Sequence, residues 1–493
     1  MKKLKTQSKT LQKGTILFQA FIFGTIAIVM IGALTSWAGT NIRVTRYSAN
    51  REQALQIAEA GVDYYRWHLA HAPNDYKDGL ATSTGPYVHS YYDKDGNQIG
   101  SFSLQITPPP TGFTLVKIKS TGTVLADPTI SRSIFVELAI PSFAKYAVVA
   151  NDNMRFGEGT EVFGPIHSNG GIRFDGLAHN IVSSATLSYD DPDHSGGSEF
   201  GVHTHLQSNG TVNNSFQSAE APPSSVPVRN DVFQAGRQFP VPAVDFAGIT
   251  SNLSQIKSNS QSSGKYFAAS GVQGYHITLK TNDTFDIYKV NQLMSPPNGC
   301  SNTSSQTGWG TWSIRTTGSN NQTLVGNYAI PSNGLVFVED NVWIDGQVQG
   351  ARLTIAVGRF PDSPSTWRSV TINNDLIYSN YDGTDTIAII SQGNINVGLN
   401  SDDDLRIDTA MISQNGRVGR YHYDSNCGSS YIRNSITLDG MIGSALRYGF
   451  AYTDGTGYQT RNIIYDANLL YGPPPSFPLT SDQYQTIFWE EVK

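Results

Sequence analysis

KGTILFQAFIFGTIAIVMIGALTSWAGTNI, residues 13–42, carries a charge at Lys13 and none thereafter. Residues 15–38 hold its apolar part. At about 1.5 Å of rise per residue, a helix of that length crosses the ~30 Å hydrocarbon core of a bilayer. The run is apolar on every face, so it predicts a membrane-spanning helix rather than a buried helix of a soluble core. Lys2, Lys3, Lys5, Lys9 and Lys13 precede it, and residues 1–13 contain no acid. Lysines flanking a span stay on the cytoplasmic side, which puts the N-terminus inside and everything after the span outside.

The helical pattern continues beyond the span. Residues 48–71 read SANREQALQIAEAGVDYYRWHLAH. Ala54, Leu55, Ala58, Val62, Tyr65 and Leu69 recur at spacings of three and four and form one apolar stripe. Glu52, Gln56, Glu59, Asp63 and Arg66 supply the polar side, and Pro73 closes the pattern.

Two processing readings follow. Ser36-Trp37-Ala38 offers small residues where a secretory signal is cut. Lys13-Gly14, at the boundary between basic leader and apolar run, resembles the type IV prepilin and pseudopilin family, whose leaders end in Gly. That resemblance implies removal of residues 1–14 and Thr15 as the first mature residue. The family usually has Glu at the fifth mature position, and this chain has Gln19 there. The string Ala58-Glu59-Ala60-Gly61, preceded by Gln53-Ala54-Leu55, resembles the first-helix region of minor pilins of the PilX type. The resemblance implies a membrane-inserted helix that associates laterally with other pilin-like subunits in a pilus or pseudopilus.

Residues 76–140 read as a small antiparallel β unit of a pilin-like head. Residues 99–106 alternate apolar and polar, and 113–118 and 133–140 do so more loosely. Asp93-Lys94-Asp95-Gly96-Asn97 has oxygen donors at alternate positions, but it reads as a hairpin turn rather than a calcium loop.

Residues 141–493 change texture. The whole chain of 493 residues holds 47 glycines and only 15% charged residues. Short apolar strands recur between Gly, Asn and Asp, such as Leu335–Val338, 353–357, Leu376–Tyr378 and Ile395–Val397. This predicts a mainly β protein with one long N-terminal helix and a right-handed parallel β-helix body, with a β-sandwich as the alternative. Stretches 208–263 and 296–321, rich in Ser, Asn, Gln and Gly, read as insertions. Residues 247–257 read as a short helix with Leu253 and Ile256 on one side.

The formal net charge of −6, without a basic stripe, argues against nucleic-acid binding. Cys300 and Cys427 are too few for a disulfide framework, but they are candidates for one bridge outside the cytoplasm. Candidate acids are Asp190, Asp191 and Asp193, Asp382 with Asp385, and the run Asp402-Asp403-Asp404. Each lies among turn formers, where solvated turn acids are the expected reading. His194, His203 and His205 fall close together, and His203-x-His205 puts two imidazoles on one strand face. With no clear third ligand, the expectation is no metal and no cofactor. No GxSxG, HExxH or P-loop string is present. The expected protein is therefore a non-enzymatic, single-pass subunit at the cell surface. Its partners are the membrane, other pilin-like subunits and a surface or glycan. A membrane-tethered carbohydrate-active enzyme or glycan-binding adhesin is the alternative.

Overall fold

The computed structural model describes residues 13–82, 84–110, 112–480 and 483–492, with 13–15 and 247–252 described by backbone alone. The leader lysines at 2, 3, 5 and 9 lie outside the described residues. The chain forms two compact units. The first takes the residues up to Pro108, then Val116–Ala139, then the chain end from Gln483. The second takes Pro109–Leu115 and Ile140–Asp482.

In the first unit, helix α1 runs Lys13–His71 without a break. Its first part, from Ile16 to Tyr47, exposes large apolar side chains such as Leu17, Phe21, Ile28 and Leu34. Its second part buries Ala54, Ile57, Ala58, Val62, Tyr65 and Leu69. Strands β1 (Tyr87–Tyr92), β2 (Gln98–Thr107), β3 (Val116–Val124) and β4 (Asp127–Ala139) form an antiparallel sheet in that order. Alternate residues of β2 and β3 are buried, because one face of the sheet lies on α1. Two glycines permit the close approach. A Cβ on Gly122 would sit 2.1 Å from the Ala54 carbonyl oxygen, and one on Gly61 would sit 2.4 Å from Ser120 Oγ.

The last strand, Gln485–Val492, pairs antiparallel with β4. This corrects the expected assignment of all of 141–493 to one body. The second unit is an insertion between two neighbouring strands of the small sheet. Tyr484 at the return point donates its hydroxyl to the Pro73 carbonyl at 3.1 Å, just past the end of α1.

In the second unit, parallel pairing dominates. Leu335–Val338, Arg352–Val357, Thr386–Ser391, Asp404–Ser413 and Ile432–Ser444 lie side by side in parallel register. The column continues from Ile442 onto Val148, then Ile166, then Val182. The first strand of the unit, Val148–Ala150, therefore sits inside the column rather than at its end. The strands are apolar on both faces for a physical reason. Val336, Leu353, Ile387, Ile389 and Val148 point into one core. The intervening Phe337, Ala388, Ile390 and Ile412 meet a second core, where helix α2 (Ala247–Ser263) contributes Leu253 and Ile256. The helix expected at 247–257 thus covers this face and runs six residues further. Antiparallel exceptions are the meander Gly274–Lys280, Thr284–Val290 and Gln322–Ala329, and the pair Ser188–Tyr189 with Glu199–Phe200.

Candidate functional site

The apolar part of α1 is long and apolar enough to span a membrane, with a mean hydropathy of 2.3 over its best window and none of that window buried. A signal sequence near an N-terminus meets the same criterion. The backbone of Lys13, Gly14 and Thr15 is helical, and their side chains lie outside the described residues. Gln19 is exposed on the helix surface.

In the second unit, the hairpin Ser188–Tyr189/Glu199–Phe200 folds beside Val202–His203, which pairs in parallel with Ile172–Phe174. His203 closes its strand and His205 follows two residues on, with both Nε2 atoms on Glu199 Oε2. The nine-residue loop between the hairpin strands carries Asp191 back to Glu199 and the two imidazoles. Asp191, Glu199, His203 and His205 are all buried, and one ligand atom from each lies within 4.8 Å of the others. Glu199 Oε2 is 3.1 Å from His203 Nε2, 3.0 Å from His205 Nε2 and 2.9 Å from His194 Nε2. Asp191 Oδ2 is 3.6 Å from His203 Nε2 and 3.7 Å from His194 Nε2.

The far side of each group is held by the backbone. His205 Nδ1 donates to the Asn213 carbonyl at 2.7 Å, and His203 Nδ1 donates to the Phe200 carbonyl at 3.1 Å. Glu199 Oε1 accepts from the Gln217 amide at 2.7 Å, and Asp191 Oδ1 accepts from the Asp193 amide at 3.0 Å. A carbonyl oxygen has no proton to give, so both Nδ1 atoms must be the donors. In the neutral rings, Nε2 then presents a lone pair to the centre. His203 Nε2 and Asp191 Oδ2 are buried there with no hydrogen-bond partner.

Arg173, fully buried, stands behind the centre. Its Nε donates to Asp175 Oδ2 at 2.7 Å and its Nη2 to Asn214 Oδ1 at 2.6 Å, while Nη1 lies 3.6 Å from Asp191 Oδ2. Burial raises the Asp191 carboxyl, and the Asp193 amide and the Arg173 guanidinium pull it the other way.

The remaining candidate acids do not join this centre. Asp190 is exposed, and Asp193 turns away to Arg447 at 2.6 Å and Arg155 at 3.2 Å. Asp382 accepts from the Thr384 amide in a turn. Asp385 is buried but is consumed by backbone amides, including Asn380 at 2.7 Å and Ser379 at 3.0 Å. Asp402 accepts from Asn374, while Asp403 and Asp404 accept from the backbone amide and the side chain of Asn434. Asp93 accepts from the Asp95 and Asn97 amides, so that loop is a turn with Gly96 at φ 83°.

Sequence reading singled out the three histidines and Asp191 but not Glu199, which the structure places among them. The signal available was the spacing Glu199-x-x-x-His203-x-His205 within one short run. Elsewhere, Cys300 and Cys427 are bonded, with their Cα atoms 4.4 Å apart.

No known family model matches the chain. No curated protein matches it in sequence. Among solved structures it is similar to the competence-associated pilin ComZ from Thermus thermophilus, with a TM-score of 0.31, 12% identity, and coverage of 90% of this chain and 97% of that one. A likeness of that size establishes neither family nor role.

Proposed function

We propose that the chain is a minor pilin-like structural subunit of a type IV pilus or pseudopilus, inserted in the membrane by α1 and displaying its β-rich body outside the cell. The observation that carries this reading is the division of α1. One unbroken helix exposes apolar residues on all sides over its first part and buries a single stripe against an antiparallel sheet over its second. A soluble protein does not leave such a surface in water, whereas a helix that first lies in lipid and then packs laterally with its like requires it. The body fits a right-handed parallel β-helix, supported by its parallel ladders and two-sided apolar strands. The Cys300–Cys427 bond suits an oxidising compartment. The role is structural rather than catalytic, since the candidate acids outside the buried cluster are engaged in turns and ion pairs.

The test is the N-terminal sequence of the mature protein from its native cell. A start at Thr15 is expected. A start at Gly39 means a released secretory protein and ends the filament reading. An intact Met1 leaves only a membrane anchor.

A further inference from the structure

We propose that Asp191, Glu199, His203 and His205 bind one divalent transition-metal ion, Zn2+ in the first instance, as a structural staple of the second unit. The inference is independent of the role assigned to α1. Two ligand atoms, each about 2.0–2.1 Å from a tetrahedral ion, are about 3.3–3.4 Å apart. Three of the six separations, Glu199 Oε2 to His205 Nε2 at 3.0 Å, Glu199 Oε2 to His203 Nε2 at 3.1 Å and Asp191 Oδ2 to His203 Nε2 at 3.6 Å, bracket that value, and all six lie within 4.8 Å.

The orientation of the groups points the same way as their spacing. Each outer atom is tied to the backbone, and each inner atom is a lone-pair donor aimed at a common point. That is the arrangement in which outer-sphere hydrogen bonds fix the tautomer of metal-ligating imidazoles. Without an ion, the lone pairs of His203 Nε2 and Glu199 Oε2 would face one another at 3.1 Å, and His203 Nε2 and Asp191 Oδ2 have no hydrogen-bond partner, although the Arg173 guanidinium lies 3.6 Å from the latter. A divalent ion also adds positive charge beside the buried carboxylates of Asp191 and Glu199, where Arg173 supplies one cation.

Mixed imidazole and carboxylate donors suit zinc and its first-row neighbours. Calcium and magnesium prefer all-oxygen sets. The burial of all four ligands marks a closed, structural site rather than one holding an open position for a substrate. The ion would pin the hairpin carrying Asp191 and Glu199 to the strand carrying His203. His194, less deeply buried, lies beside the centre with Nε2 on Glu199 Oε2 and steadies that carboxylate from outside.

The test uses the full-length chain in detergent, stripped with a chelator and titrated with Zn2+ and, separately, with Co2+. One equivalent of Zn2+ should bind and restore the thermal midpoint lost on stripping. Glu199→Gln and His203→Ala should each weaken binding by more than the roughly 10–100-fold typical of outer-sphere losses, and His194→Ala should fall within that range. Asp193→Asn should bind as the parent does. Equal zinc binding by the parent, Glu199→Gln and His203→Ala would overturn the proposal. Should either ligand variant fail to fold, Co2+ on the parent chain decides. Visible bands of a tetrahedral nitrogen–oxygen site, displaced by one equivalent of Zn2+, are expected. A featureless spectrum with no response to the chelator means a cluster of protonated histidines and carboxylates instead.

Discussion

Val148 lies in parallel register with Ile442, across nearly the whole sequence of the second unit. Both are almost fully buried. Val148 also pairs with Ile166 on its other side, so an early strand and a late strand of the inserted chain meet inside one ladder. The chain ends of the unit are themselves neighbours, since Ser142 bridges Leu479 and the Thr480 amide donates to the Pro141 carbonyl, so the unit can be inserted into a sheet loop without stretching either strand of its host. The junction should behave as a structural joint. Ile442→Ala is expected to destabilise the second unit by about 2–5 kcal/mol, the cost of a buried aliphatic truncation. Urea unfolding followed by circular dichroism measures it, and a change below about 0.5 kcal/mol would mean that the joint is not closed.

Helix and sheet of the first unit approach too closely for side chains at two points. A Cβ on Gly122 would meet the Ala58 amide nitrogen at 2.5 Å as well as the Ala54 carbonyl oxygen. Backbone atoms cannot rotate aside. Gly122→Ala should therefore cost about 1–3 kcal/mol through overpacking. Gly157→Ala, whose Cβ meets nothing within 4 Å, serves as the control. Thermal denaturation compares the two.

Cys300 and Cys427 join two loops over a small cluster of Leu399, Tyr421 and Tyr423. The bridge encloses a long stretch of chain, so its loss frees much unfolded-state entropy. Reduction, or Cys427→Ser, should lower stability by about 2–4 kcal/mol. A thermal midpoint unchanged by reductant would refute a stabilising role.

Asp439 gives a pH signature. Burial first, then the charge of Asp408, raise its carboxyl to about 6, against a partial pull downward from Arg406. Asp466 adds to the rise. The folded value lies above the unfolded one, so the folded state keeps its proton while the unfolded chain loses it. Stability from this group is present at low pH and is lost as pH rises from about 4 through about 6. Asp439→Asn should therefore gain about 1–3 kcal/mol at pH 7 and nothing below pH ~4. Denaturant midpoints at the two pH values check the sign, and an equal gain at both would exclude ionisation as the cause.

Local pattern determined much of this protein. The span from Ile16, the apolar stripe ending at Leu69 and strands such as Leu376–Tyr378 and Ile395–Val397 were legible because period and composition act over a few residues. His203-x-His205 was legible as a shared face for the same reason. The long-range relationships were not. That Gln485–Val492 returns to β4, that Val148 enters the ladder beside Ile442, and that Glu199 completes a ligand set with Asp191 all depend on pairings between distant or turn-separated segments. Ile and Val runs fit many parallel partners equally well, so the sequence marks the strands without naming their neighbours. Only burial of both faces, with α2 over one of them, selects the register.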